Sequence, residues 1–171
     1  MSFEKLLYDS RRVVAEIAAD TLEKHPELIE EVINLCKREY PLSMRAARAI
    51  QFYAERNNEN LVPYRGKISE ILLNTNIDGV KRGFLKVLIL YPNISSMDNS
   101  AKIFDKCTEW ALSLKETISV KAYCIEMLVK FIKEEPDLKG EVKIILDNLN
   151  CAENPALKFI CRKYLKKINS L

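Results

Sequence analysis

The sequence predicts an all-α fold, a solenoid of about four helix pairs behind an N-terminal helix. Three observations predict it. One apolar template recurs along the chain, strand-like alternation is absent from a sequence with only four glycines, and the starts of alternate helices repeat at a near-constant interval.

The N-terminal helix is expected within residues 1–25, on Val14, Ala18 and Leu22. The first pair, 26–60, rests on Leu28, Ile29, Val32, Ile33 and Cys36, then on Ala46, Ile50, Tyr53 and Ala54. The second pair, 61–95, opens with a short helix at Ile68, Ile71 and Leu72. From there a template i, i+4, i+7, i+8, i+11 sets in, which places five side chains on one face of a 3.6-residue helix. Val80, Phe84, Val87, Leu88 and Tyr91 are its first copy. The third pair, 96–135, holds Ile103, Cys107, Trp110, Ala111 and Leu114, then Val120, Cys124, Met127, Leu128 and Phe131. The fourth, 136–171, holds Leu138, Val142, Ile145, Leu146 and Leu149, then Leu157, Cys161, Tyr164, Leu165 and Ile168. Breakers fall between the stripes: Pro26, Pro41, Pro63, Pro92, Pro136 and Pro155. Asn154 before Pro155 has the form of an N-cap, and Asp98, Asn99 and Ser119 are further cap candidates. The loops are short, so successive helices should be antiparallel neighbours.

The second helices open alike, with a small residue, an apolar one and a basic one: Ser43-Met44-Arg45, Gly79-Val80-Lys81, Ser119-Val120-Lys121 and Ala156-Leu157-Lys158. The basic positions lie 36, 40 and 37 residues apart, and Ser10-Arg11-Arg12-Val13 reads as a degenerate earlier copy. A fixed interval of this size with two helices per unit is the signature of stacked repeats, in which each pair buries its apolar faces against its neighbours. The opening step resembles HEAT repeats of the armadillo-like class, over roughly residues 26–168, and the chain is similar to small bacterial HEAT-like proteins. The resemblance implies a right-handed α-α superhelix in which the basic residue bonds back to the turn and the neighbouring repeat. The family's aspartate six residues earlier is replaced by Glu39, Thr75, Lys115 and Ala152.

The composition excludes much chemistry. Hydrophobic residues are 48% and charged residues 30%, a water-soluble profile without a run of about 18 apolar residues. No membrane association is expected. The charged start, Met1-Ser2-Phe3-Glu4-Lys5, has no apolar signal region, so a cytoplasmic protein is expected. Cys36, Cys107, Cys124, Cys151 and Cys161 include no C-x-x-C pair and read as reduced, buried side chains. His25 is the sole histidine, at a helix junction, which leaves zinc sites, paired His-Glu metal centres and Ser-His-Asp arrangements without their residues. Neither glycine-rich phosphate loop is present, and Gly79 and Gly83 are better explained by close packing. Glu30-Glu31 and Glu134-Glu135 read as solvated pairs, Trp110 as core. Ser95-Ser96-Met97-Asp98 departs in spacing from the Ser-Ser-x-Met loop of adenylosuccinate lyases and reads as a turn. No catalytic, cofactor-binding or metal-ligating residue is assigned, and the protein is expected not to be an enzyme.

Charge gives the one functional pointer. The second helices (41–57, 79–91, 118–134 and 155–168) carry +11 together, the first helices (26–39, 64–74, 99–115 and 137–149) carry −1. In solenoids the second helices line the concave side, so Arg48, Arg82, Lys86, Lys130, Arg162, Lys163 and Lys166 are the candidate partner-binding residues. A basic groove of this kind attracts an acidic protein segment or nucleic-acid phosphates. Three functions follow: a scaffold for a protein partner, a nucleic-acid-binding protein similar to HEAT-like DNA glycosylases, or an accessory subunit of an enzyme. Oligomeric state is left open.

Overall fold

A computed structural model describes residues 3–150 and 154–171, and among these every regular element is helical. The chain forms two compact units, one ending at Tyr91 and one beginning at Pro92.

In the first unit α1 (Phe3–Leu6) and α2 (Arg12–Lys24) precede α3 (Ile29–Leu35), α4 (Leu42–Asn57), α5 (Arg65–Asn74) and α6 (Asp78–Leu90). Helix α4 is the centre, packed against α2, α3 and α6, while α5 packs against α6. Thus α2 sits beside α4 as α4 sits beside α6, which makes the Ser10-Arg11-Arg12-Val13 start a true member of the second-helix row. The predicted stripes are the core: Val14, Ala18, Leu22, Val32, Ile33, Ala46, Ile50, Ile68, Leu72, Val80 and Phe84 are all buried. Two buried tyrosines find partners, as burial of a phenol requires. Tyr91 donates to the Leu61 carbonyl at 2.7 Å, and Tyr53 accepts from Asn60 at 3.0 Å. The expectation for Gly79 and Gly83 holds. A Cβ on Gly79 would meet Met44, and one on Gly83 would lie 3.1 Å from the Ala47 carbonyl oxygen, so both glycines let α6 approach α4.

The second unit contains α7 (Ser100–Leu112), α8 (Ile118–Glu134), α9 (Lys139–Asn150) and α10 (Pro155–Asn169). Helix α8 packs against α7 and α10, and α9 against α10. Its core includes Ile103, Trp110, Val120, Met127, Leu128, Val142, Leu146, Leu157 and Ile168, with Phe104 and Phe131 edge-to-face at 5.5 Å. Leu114 departs from the apolar template. Helix α7 ends at Leu112, the Ser113 N–H closes its last turn on the Glu109 carbonyl, and Leu114 is 99% exposed. Leu138 is half-buried, in a 3₁₀ turn opened by Pro136 before α9 starts. Asn154 caps α10 as expected, accepting from the Ala156 and Leu157 N–H groups at 3.0 and 3.1 Å. The cap of α8 is Thr117, which accepts from Val120, while Ser119 lies inside the helix. Ser95 and Ser96 form a 3₁₀ turn after Asn93, whose φ of 56° lies in the left-handed region that asparagine tolerates.

Candidate functional site

The basic residues of the second helices divide by what they meet. All three arginines of α4 turn back to the chain before and along α2. Arg45 donates to Ser10 Oγ at 3.0 Å and to the Leu7 and Tyr8 carbonyls at 3.1 and 2.8 Å. Arg48 donates to the Ser10 carbonyl at 2.7 Å and stacks over Phe52, whose ring also takes Arg12. Arg56 pairs with Asp20 at 2.7 Å and Glu23 at 3.1 Å. On α6, Lys81 is 4% exposed, Lys86 pairs with Glu55 of α4, and Arg82 faces solvent.

On α8, Lys121 is 7% exposed, and Lys130 pairs with Glu134 at 3.3 Å. Glu134 also accepts from the Ser95 N–H at 2.8 Å. Burial works against its ionisation, but the Ser95 and Ile94 N–H groups and Lys130 hold its carboxyl below the ordinary value.

Helix α10 is different. Its sequence, Pro155–Asn169, contains Lys158, Arg162, Lys163, Lys166 and Lys167 and no carboxylate. Lys158 is half-buried, and the other four are exposed. Lys163 and Lys167 lie over the Tyr164 ring at 5.4 and 5.8 Å. Burial and the Glu126 carboxylate push the Tyr164 phenol up to about 12. Among the described residues none of the five cations of α10 makes a salt bridge. Of the seven sequence-predicted residues, then, Arg48, Lys86 and Lys130 are engaged inside their own unit, and Arg82, Arg162, Lys163 and Lys166 stand in solvent.

Two solvent-open clefts were not foreseen. One of about 470 Å³ has Cys36, Ile71 and Ile77 at its base and Lys37, Arg38 and Asn74 at its rim. The other, about 520 Å³, runs along Lys37 to Leu42. Apart from Glu70, Ile71 and Asn74 of α5 and Leu42 of α4, they are lined by inter-helix turns, which carry no periodic signal. His25 is exposed and pairs with Glu27 at 3.1 Å. Cys36, Cys107, Cys124 and Cys161 are buried free thiols, and desolvation pushes Cys161 up to about 11. Cys151 lies outside the described residues. Among the described residues, no three His, Cys, Asp or Glu side chains converge as a metal-binding group, and no helix is long and apolar enough to cross a membrane.

The family profile of the HEAT repeat domain matches residues 6–168. The chain belongs to the HEAT repeat family. No curated protein and no solved structure matches it. HEAT repeats mediate protein–protein interaction, which fits a chain of paired helices with charged outer faces. Of the four HEAT basic positions, Lys81, Lys121 and Lys158 are the least exposed cations of their helices, and Arg45, half-buried like Arg48, bonds back to the preceding turn.

Proposed function

We propose that this HEAT repeat protein is a non-catalytic cytoplasmic interaction module, that residues 1–171 serve it as a single domain, and that it takes an acidic protein segment on basic residues of its second helices. The residues are Arg48, Arg82 and Lys86 in the first unit and Lys130, Arg162, Lys163 and Lys166 in the second. The observation that carries the reading is the uncompensated charge of α10, five cations against no carboxylate. Arg82 and the α10 residues meet a partner at no internal cost. Arg48, Lys86 and Lys130 contribute by exchanging a carbonyl or carboxylate they already hold. Charges of this kind raise association rates and choose partners more than they deepen affinity.

The test is affinity capture from native lysate with and without nuclease, using wild type and a variant carrying Arg82→Glu, Arg162→Glu, Lys163→Glu and Lys166→Glu. All four side chains are exposed, so the variant should keep the wild-type circular dichroism spectrum. A protein that survives nuclease and is lost in the variant is expected. Retention unchanged by the four reversals would sink the assignment. Material that disappears with nuclease, and duplex binding that falls with salt at a log–log slope of about −0.9 per phosphate contact, would replace it with nucleic-acid binding.

A further inference from the structure

We propose that Phe159 is the anchor of the α10 surface, so that the acidic segment bound there carries a large apolar side chain flanked by carboxylates. This rests on the reading above and adds to it the feature that selects the partner.

Helix α10 has two faces. Leu157, Cys161, Tyr164 and Ile168 are buried against the unit. Phe159, Arg162, Lys163 and Lys166, spaced i, i+3, i+4 and i+7, form one stripe on the opposite side. Phe159 is 70% exposed, and Ile144 on α9, the helix beside it, is 64% exposed. The helix dipole accounts for cations in the last turn, where Lys166 and Lys167 sit, but its effect fades within one turn. Arg162 and Lys163 lie mid-helix, and among the described residues neither the dipole nor a salt bridge accounts for them, although Lys163 lies over the Tyr164 ring. An aromatic ring held among unpaired cations has the composition of an interface centre, with Phe and Arg enriched and a charged rim around them. The ring supplies contact area and the cations supply sign. An acidic segment without an apolar residue leaves Phe159 in water, and an apolar segment without acids leaves the cations unpaired. Single-stranded nucleic acid fits less well, because stacking sites align several rings, whereas this stripe has one.

The experiment selects a phage-displayed library of random 16-residue peptides against wild type, Phe159→Ala and the Arg162→Glu, Lys163→Glu, Lys166→Glu variant. The affinities of synthesised winners and of fluorescein-labelled dT16 are then measured by anisotropy. Wild type should enrich peptides with aspartate or glutamate on both sides of a large apolar residue. Phe159→Ala should weaken them about tenfold, and the charge variant should abolish binding. Acid-rich winners lacking an apolar residue, bound equally by Phe159→Ala, would overturn the anchor while leaving the acidic-segment reading in place. No acid-rich enrichment on any variant would overturn both. Tighter, Phe159-dependent binding of dT16 would overturn the peptide in favour of nucleic acid. A wild type that dimerises through Phe159 would make a second copy the occupant instead.

Discussion

Substituting Gly83 probes a close approach of α6 to the backbone of α4. A Cβ at this position would lie 3.1 Å from the Ala47 carbonyl oxygen and 3.3 Å from the Ala47 carbonyl carbon and Cβ. The obstacle is the backbone of α4, which cannot rotate away as a side chain would. Two effects therefore compete. Replacing glycine within a helix by alanine is worth about 0.4–1 kcal/mol, through propensity and lost freedom of the unfolded chain. Gly140 in α9 isolates that gain, because a Cβ there meets nothing within 4 Å. At Gly83 the gain is opposed by the separation of α6 from α4, and each carbon pair pulled from contact forfeits part of about 0.1–0.2 kcal/mol. Gly83→Ala should thus fall within about 0.5 kcal/mol of wild type. Gly83→Val adds two more methyls, recovers less propensity because it is β-branched, and should cost about 1–3 kcal/mol by overpacking. At roughly 2–4 °C per kcal/mol for a chain of this size, Gly83→Val should melt several degrees lower and Gly140→Ala a few degrees higher. Thermal and urea unfolding followed by far-ultraviolet circular dichroism measure both. A Gly83→Val protein as stable as wild type would refute the packing argument, and so would a Gly83→Ala gain equal to that of Gly140→Ala.

Other perturbations follow from single contacts. Asn154→Ala removes a cap accepting two N–H groups and should cost about 1 kcal/mol in the urea midpoint, whereas Ser119→Ala, inside α8, should be close to neutral. Arg45→Met strips three of the hydrogen bonds that fasten residues 7–10 to α4 and leaves that of Arg48 to Ser10, so amide exchange of residues 7–12 should accelerate at least tenfold while the second unit keeps its protection. Glu134 has a folded pKa below its ordinary value, so its contribution to stability is full above the unfolded carboxylate pKa of about 4.3 and is lost as pH falls through the lower folded value. Glu134→Gln should therefore be less stable than wild type at pH 7 and approach it toward pH 3, read by urea unfolding with Trp110 fluorescence; a constant difference across that range would contradict the assignment.

The helices were legible because burial is periodic. The stripes from Val80 onward predicted the buried faces, apart from half-buried Leu165 in α10 and the ends where Leu114 and Leu138 fall outside the helix proper. Spacing counts residue types and does not register where the backbone stops, so the template ran past the end of α7 at Leu112 to Leu114. The caps show the same limit. Thr117 and Ser119 offer equivalent hydroxyls, and only the start of α8 decides which one meets a free N–H. The first half looked irregular for a physical reason: a 3₁₀ stretch, Asn58–Tyr64 with Pro63 inside it, interrupts the 3.6-residue period between α4 and α5.

The cations were harder to read, because a sum of charge per helix does not know which groups will meet. The contacts themselves carry a rule. Arg45 reaches Leu7, Tyr8 and Ser10, Arg48 reaches Ser10, Arg56 reaches Asp20, and Lys67 reaches Glu30, each 35 to 38 residues back along the chain. That distance is one HEAT repeat. In the first unit, where Glu39 and Thr75 stand at the aspartate positions, contacts one repeat apart thus engage these cations internally. Arg162 looks back 37 positions to Ile125 and Lys166 to Val129, neither of which accepts. Lys163 looks back to Glu126 but makes no salt bridge with it among the described residues. Arg82 looks back to Arg45. Lys86 and Lys130 are held not from one period back but by Glu55 and Glu134. Arg82, Arg162, Lys163 and Lys166 are left in solvent, and on the function proposed above that uncompensated charge is what steers a partner.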